Sequence, residues 1–457
     1  MIEGTLDRTI GSTLNGWAWD SARPDAPVVV DIYDHDDRTL LASVTADQPR
    51  MDLVRAGKGD GRHAFSLDLR TVTRKRKFTV AARVSGTAAV LARSPLAVEL
   101  EDWEARAPRL KGRFCSVPFE KLALSNDGAR LCCPSYVPTV VGDPKTQTLD
   151  EIWNSPAAIE IRRSIVDGDY RYCLDLCPAI VQDVLPRVET LPPGVYEAAV
   201  AAAKAPLPTG PRHLALLHDR SCNLSCPSCR ATIIAATVQE RAEFQVILDR
   251  VIRPAFPSLR ILEFAGGEIL ASAHLKNVAL SIDKEAAPDL RVAIMSNGTL
   301  FDRAAWEQLR NIHGIVKLVY VSLDAAAADS FQELRRGGIW PETLANVEFL
   351  STLRRDGLIE EFGITFVVQQ RNYREMRAFA ELGLRLGCDR VMFHELVDFG
   401  TYPEGGYAVR NVCDPAHPEH AELLAVLRDP IFAERCVELT ALHGLRRQAL
   451  AQETATV

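Results

Sequence analysis

Three textures of hydrophobic patterning follow one another along the chain. Up to about residue 98, short β-type runs recur, among them Val28-Val29-Val30-Asp31-Ile32-Tyr33, Phe65-Ser66-Leu67-Asp68-Leu69 and Phe78-Thr79-Val80. Clusters of Gly, Asp and Pro separate them, a pattern that predicts a β-sandwich module over 1–98. From 108 to 184 the periodicity weakens and cysteines enter, at Cys115, Cys132, Cys133, Cys173 and Cys177. A Pro- and Ala-rich stretch over 185–211 reads as a linker with one short helix near Ala198 to Lys204. From 212 to 400, apolar runs alternate with amphipathic stretches: Leu214 to Leu217, Ile261 to Phe264, Val292 to Met295, Leu318 to Val321, Gly363 to Val368, and Val391 to Phe393. Six strands separated by helical lengths imply an α/β domain on a parallel sheet, and the spacing alone fits either a partial barrel or a doubly wound sheet. The tail, 401–457, contains a helix-like stretch from Ala421 to Leu427 and is expected to pack on that domain.

Composition narrows the function classes without choosing one. The length of 457 residues suggests roughly two to four domains. With 47% hydrophobic and 25% charged residues, disordered and fibrous classes are excluded. A net charge of -7 argues against a nucleic-acid partner or an anionic-membrane surface, and the basic run Arg74-Lys75-Arg76-Lys77 reads as a solvated turn. No apolar run reaches the length of a membrane span, and Met1-Ile2-Glu3-Gly4 lacks the basic and apolar parts of a signal peptide, so a cytoplasmic location is expected. In that reducing setting, eleven cysteines point to metal or cluster ligation rather than disulfides.

The sharpest chemical feature is Cys222-Asn223-Leu224-Ser225-Cys226-Pro227-Ser228-Cys229, which reads as a three-thiolate iron-sulfur site. Three ligands leave one iron of a cubane open to a small molecule. The run follows a strand and precedes a helix expected from about Ile233, so it lies on a strand-to-helix loop, the face where such barrels place their chemistry. In these residues the sequence resembles the radical S-adenosylmethionine (radical SAM) enzymes. One position departs: the family carries an aromatic residue just before the third cysteine, where this chain has Ser228. The resemblance implies an open (βα)6 barrel over 212–400, with Cys222, Cys226 and Cys229 on a [4Fe-4S] cluster. It extends to Gly266, Gly267 and Glu268 as contacts of the cofactor's amino group, and to Ser322 and Arg335 as ribose and carboxylate contacts. Ser296-Asn297-Gly298 would line the same site.

The segment 108–184 resembles the auxiliary-cluster domain called SPASM, or its shorter twitch variant, which implies a second [4Fe-4S] cluster on Cys115, either Cys132 or Cys133, Cys173 and Cys177. Such domains normally follow the barrel, whereas here the segment precedes it. Four thiolates also suit zinc. Within the sandwich, Gly16-Trp17-Ala18-Trp19-Asp20 and Asp52-Leu53 with Gly57, Gly59, Asp60 and Gly61 resemble an accessory module of bacterial surface-polysaccharide proteins; Trp17 and Trp19 equally suit a strand packed on the core.

The expected function is reductive cleavage of S-adenosylmethionine, with electrons from a donor such as flavodoxin or ferredoxin, followed by hydrogen abstraction from a glycan or a peptide side chain. The outcome would be oxidation or epimerisation. His394, Glu395 and Tyr402 are possible substrate neighbours, His394 also a proton carrier, and Cys413 a hydrogen-atom donor or an inert buried thiol, as Cys388 and Cys436 are read. The alternative is a noncatalytic iron-sulfur or zinc scaffold that carries electrons or holds structure.

Overall fold

The computed structural model describes every residue other than 1, 8, 10, 11, 51, 52, 55, 74, 101, 102, 176, 400, 403, 404 and 455–457; at 49, 103–106, 453 and 454 only the backbone is described. Asp52 and Arg74, singled out above, thus lie outside the described residues. The chain divides into two compact units. The first comprises Met1–Ala123, Asp127–Asp143 and Asp150–Pro208, and the second Leu124–Asn126, Pro144–Leu149 and Thr209–Val457.

The first unit begins with two antiparallel four-stranded sheets. One is ordered β1-β2-β6-β5, from β1 (Ile2–Leu6), β2 (Thr13–Asp20), β5 (Gln48–Pro49) and β6 (Arg62–Asp68). The other is β4-β3-β7-β8, from β3 (Val28–Asp34), β4 (Leu40–Ala46), β7 (Lys77–Val84) and β8 (Leu96–Glu99). Alternation explains the packing: in β7, Phe78, Val80, Ala82 and Val84 all point inward and join Leu14, Val30, Ile32 and Phe65 in one core. Trp19 belongs to the buried set; its indole N–H donates to the Pro24 carbonyl (3.0 Å) and the Lys58 ammonium lies 4.6 Å from its ring. Gly59 is required there, since a Cβ would come within 1.9 Å of the Pro24 carbonyl oxygen. The basic run is not a free turn: Lys75 bridges Asp34 (2.7 Å) and Asp37 (2.8 Å), and Lys77 opens β7.

The cysteine-bearing part of this unit is short on regular structure. The strands β9 (Lys121–Ser125) and β10 (Gly128–Arg130) flank a turn at Asn126 and Asp127, and a helix at Pro156–Val166 is capped by the Ser155 hydroxyl, which accepts from the Ala158 N–H (3.2 Å). Gly128 has φ 131°, and a Cβ would meet Val140 at 2.6 Å. A short helix follows at Val195–Ala202.

The second unit is a parallel sheet in strictly sequential order: β11 (His213–Leu217), β12 (Ile261–Phe264), β13 (Arg291–Ser296), β14 (Val316–Ser322), β15 (Glu361–Val368) and β16 (Arg390–Glu395). Sequential order decides between the two sheet types, because a doubly wound sheet reverses its strand order part-way. A short β17 (Val437–Glu438), from the tail, adds in parallel to β16. Helices follow the strands, including Ala273–Leu280, Trp340–Arg355 and Met376–Leu386. One expectation needs correction. The helix after the cysteine loop starts at Val238, not near Ile233, because Thr237 and Glu240 form a capping box there. Ile234 instead accepts the Cys222 N–H at 2.9 Å, tying down the loop. None of the described helices is long and apolar enough to cross a membrane.

Candidate functional site

The loop leaving β11 gathers Cys222, Cys226 and Cys229 around the fully buried Leu224. It is tightly held. Gly266 and Gly267, just past β12, press against its backbone: a Cβ on Gly266 would come within 2.7 Å of Leu217, and one on Gly267 within 2.2 Å of the Ser221 carbonyl oxygen. Their lack of side chains therefore serves the approach of one loop to another. Cys229 and Arg230 both donate backbone N–H bonds to the Cys226 carbonyl at 2.9 Å, and the Ser225 N–H donates to the Arg336 carbonyl at 3.0 Å.

Donors converge on all three sulfurs. The Leu224 N–H lies 3.5 Å and the Asn297 side-chain amide 3.6 Å from Cys222 Sγ; an Arg335 nitrogen lies 3.8 Å from Cys226 Sγ, and an Arg230 nitrogen 3.3 Å from Cys229 Sγ. This donor set suits thiolates that carry negative charge, and hydrogen bonds to sulfur are one of the levers that set a cluster's potential. Burial raises the Cys226 pKa, while Arg335 pulls against it. Burial disfavours the Arg335 charge, but Asp324 and Cys226 outweigh it and hold the guanidinium protonated. The Arg335 Nε is buried with no hydrogen-bond partner.

Asp324 organises this corner. It sits just past β14 with φ 58°, the left-handed region that few residues except Gly, Asn and Asp adopt. Its carboxylate accepts from the Val367 N–H (2.8 Å) and pairs with Arg335 (2.8 Å), while the Asn372 side chain donates to its carbonyl (2.8 Å). Ser322, at the end of β14, accepts from the Thr365 hydroxyl at 3.2 Å.

Glu268 is only 1% exposed and sits in the wall of the site. It accepts from the Ser296 hydroxyl (3.0 and 3.1 Å) and the Asn297 N–H (2.7 Å), joining the ends of β12 and β13. Burial raises its pKa against those hydrogen bonds. Asn297 in turn accepts from Thr299 and donates to Asn223 (3.0 Å), so the third strand end braces the cysteine loop directly.

His394 and Glu395, expected beyond the sixth strand, are its last two residues; burial lowers the His394 pKa against the pull of Asp324 and Glu438, and burial raises Glu395. Cys413 is 8% exposed; burial pushes its thiol up to about 12, with Glu395 adding to the shift. The Thr401 hydroxyl donates to the Pro227 carbonyl (2.7 Å), and Tyr402, its ring 4.8 Å from the Arg410 guanidinium, faces Ser228. The tail thus lies against the cysteine loop beside the position that lacks an aromatic residue.

In the first unit, Cys115, Cys132, Cys133, Cys173 and Cys177 form a second gathering. Burial pushes Cys115 up to about 11, with Cys177 adding, and Cys132 up to about 12, with Cys115, Cys133 and Cys177 adding. Burial raises the Tyr170 pKa, with Cys115, Cys173 and Cys177 among the groups adding to the shift. Among the described residues no three or more His, Cys, Asp or Glu side chains close to the distances of a single metal ion's ligand shell. A cubane asks for a looser arrangement, since each of its cysteines binds a different iron.

A sequential parallel barrel with a three-thiolate loop after its first strand defines a class of enzyme fold. The sequence model of the Radical SAM superfamily matches residues 216–383, and that of SPASM, an iron-sulfur cluster-binding domain, matches 115–178. The chain therefore carries a radical SAM domain preceded by a SPASM domain, and the two imply S-adenosyl-L-methionine, a [4Fe-4S] cluster and an auxiliary iron-sulfur cluster. No curated protein sequence matches the chain. Among solved structures, SuiB from Streptococcus suis is 16% identical with a TM-score of 0.36 over 45% of each chain. TsrM from Kitasatospora setae, a radical S-adenosylmethionine methyltransferase, is 18% identical with a TM-score of 0.30, over 38% of this chain and 35% of that one. The anSMEcpe protein with bound AdoMet is 18% identical with a TM-score of 0.32, over 41% and 51%. The chain spans about half the length of SuiB, and likenesses this partial establish no shared activity.

Proposed function

We propose that the chain is a radical SAM enzyme that cleaves S-adenosylmethionine reductively and removes a hydrogen atom from a saccharide or peptide carbon, for oxidation or epimerisation. The observation that carries this reading is the set of N–H donors aimed at Cys222, Cys226 and Cys229 from three places in the fold: Asn297 at the end of β13, Arg335 at the end of the helix Ala328–Leu334, and Arg230 in the cysteine loop itself. A noncatalytic scaffold has no use for a buried arginine beside the Cys226 sulfur whose Nε has no partner.

When bound, the cluster and its sulfonium cofactor supply a 5'-deoxyadenosyl radical for hydrogen abstraction. The chain's own residues do the rest. Cys222, Cys226 and Cys229 would hold the cluster, and Arg230, Arg335 and Asn297 would stabilise its charge. Glu268 fixes the loops of β12 and β13 against each other, and with Gly266 and Gly267 forms the wall facing an amino-acid group. Ser322 and Arg335 offer a hydroxyl and a planar fork for ribose and carboxylate. Cys115, Cys132 or Cys133, Cys173 and Cys177 would hold the auxiliary cluster, an electron sink for an oxidising outcome. Cys413, held protonated by burial, would serve as the hydrogen donor that a redox-neutral outcome needs, and His394, its pKa lowered by burial, would exchange a proton. Flavodoxin or ferredoxin in the cytoplasm fits the reductant.

The test is anaerobic reconstitution with iron and sulfide, metal analysis, reduction, and assay of 5'-deoxyadenosine from S-adenosylmethionine. Release of that product is expected. Zinc in the cysteine sites with no cofactor cleavage would sink the proposal in favour of a scaffold.

A further inference from the structure

The first unit contains a cavity of about 700 Å³, within the range of about 300 to 1,000 Å³ typical of ligand sites. It lies wholly outside the cysteine groups. Its walls come from the sandwich, through β4 and the segments flanking η-turn residues Leu69–Thr71, and from the Pro156–Val166 helix with the Arg171-Tyr172 segment.

The floor is built rather than incidental. Arg70 pairs with Asp68 through two bonds (3.0 and 2.8 Å), and their side chains are only 7% and 9% exposed. The Thr139 hydroxyl donates to the same carboxylate (2.6 Å), and Arg70 donates to the Arg171 carbonyl (2.5 Å), so sandwich and cysteine segment are locked together beneath the cavity. Tyr172 is held between Arg70 and Arg171, whose guanidinium carbons lie 5.5 and 5.2 Å from its ring centre.

The charged side chains on the wall balance. Arg70, Lys75 and Arg171 face Asp34, Asp37 and Glu160, and each cation already has a carboxylate partner, Lys75 with Asp34 and Asp37, and Arg171 with Glu160 (2.9 Å) and Asp169. An anion would meet three carboxylates, and a cation three positive groups. Neither finds an unpaired counter-charge. A hydroxyl both donates and accepts, so it can bridge a carboxylate oxygen, which only accepts, and a guanidinium N–H, which only donates. Pairing also fixes these side chains before a ligand arrives, which lowers the entropy lost on binding. Four threonines on the wall extend the same hydroxyl-matching surface.

We infer that this cavity binds an uncharged saccharide, a stretch of neutral glycan, at a site separate from the radical SAM centre. The inference stands independently of the catalytic reading, since binding is measured without S-adenosylmethionine.

The experiment screens the intact, cluster-loaded protein against an array of neutral oligosaccharides and follows hits by calorimetry, with inorganic phosphate and an unrelated soluble peptide as competitors. The expected result is saccharide binding that neither competitor displaces, and that changes little between about 50 and about 500 mM salt, because no net charge is neutralised. Asp37→Asn and Glu160→Gln should each weaken it at least tenfold. Both carboxylates are partly exposed, at 48% and 36%, so the variants should keep the fold, checked by unchanged circular dichroism and thermal unfolding. No neutral saccharide bound, displacement by phosphate with steep salt dependence, or binding unaffected by both variants would each overturn the inference.

Discussion

The two gatherings of cysteines are prepared in opposite ways. Around the barrel loop, Asn297, Arg230 and Arg335 already direct donors at the sulfurs, and two of those donors are cationic. In the 115–177 group burial raises Cys115 and Cys132, neighbouring thiols add to the shift, and among the described residues no arginine offsets it. The first site has charge compensation in the protein itself; at the second, the bound iron must supply it. That difference matches their proposed tasks. A site that exchanges a charged cofactor needs standing electrostatics, whereas a cluster fully enclosed by thiolates brings its own cation.

The largest effect should come from Cys226→Ala. It should abolish 5'-deoxyadenosine formation and remove about four irons per chain, leaving the auxiliary cluster's absorbance. Cys115→Ala should do the reverse: the auxiliary iron is lost and substrate turnover stops, yet cofactor cleavage persists. Iron lost from both sites in either variant would show that the two are not independent.

Arg335→Leu leaves Asp324 buried without its ion-pair partner and strips the donor from Cys226. Neighbours of metal ligands typically matter by about 10 to 100-fold, and a loss of that size in cofactor cleavage is expected, with a shifted cluster potential as the second readout. Arg335→Lys should recover part of the potential shift but little of the carboxylate recognition.

A smaller effect concerns acid stability of the barrel unit. His218 and His274 are in contact through Nε2 atoms 2.9 Å apart, and burial lowers both pKa values, His274 to about 4. The unfolded chain takes protons near pH 6.5 that the folded one refuses, so this stability is present above that pH and is lost as pH falls toward 4. For His274 alone the shift corresponds to about 3 kcal/mol at most. Thermal stability should therefore fall between pH 7 and pH 5, and His274→Gln should flatten that slope; an unchanged slope would remove His274 from the account.

Much of the barrel was legible in the sequence because buried parallel strands are written as near-continuous apolar runs, and each observed strand contains its expected run with at most two residues added at either end. The cysteine spacing and Gly266-Gly267 were legible for a related reason: both mark chain positions where geometry leaves little choice. What the sequence did not disclose depends on contacts distant along the chain. Neither the left-handed backbone of Asp324 nor its pairing with Arg335 has a local signal. Arg230 follows the third cysteine openly, but its hydrogen bonds to the Arg220 carbonyl and to Cys229 exist only once the loop closes. The two-residue β17 is too short for any periodicity to show. Lys75 was read as solvated because Asp34 and Asp37, its partners, lie about forty residues earlier.

The most direct test sets wild type, Cys226→Ala and Cys115→Ala side by side under anaerobic, reducing conditions and measures 5'-deoxyadenosine. The account predicts product from wild type and Cys115→Ala and none from Cys226→Ala. Product from Cys226→Ala, or none from an iron-loaded wild type, would contradict it.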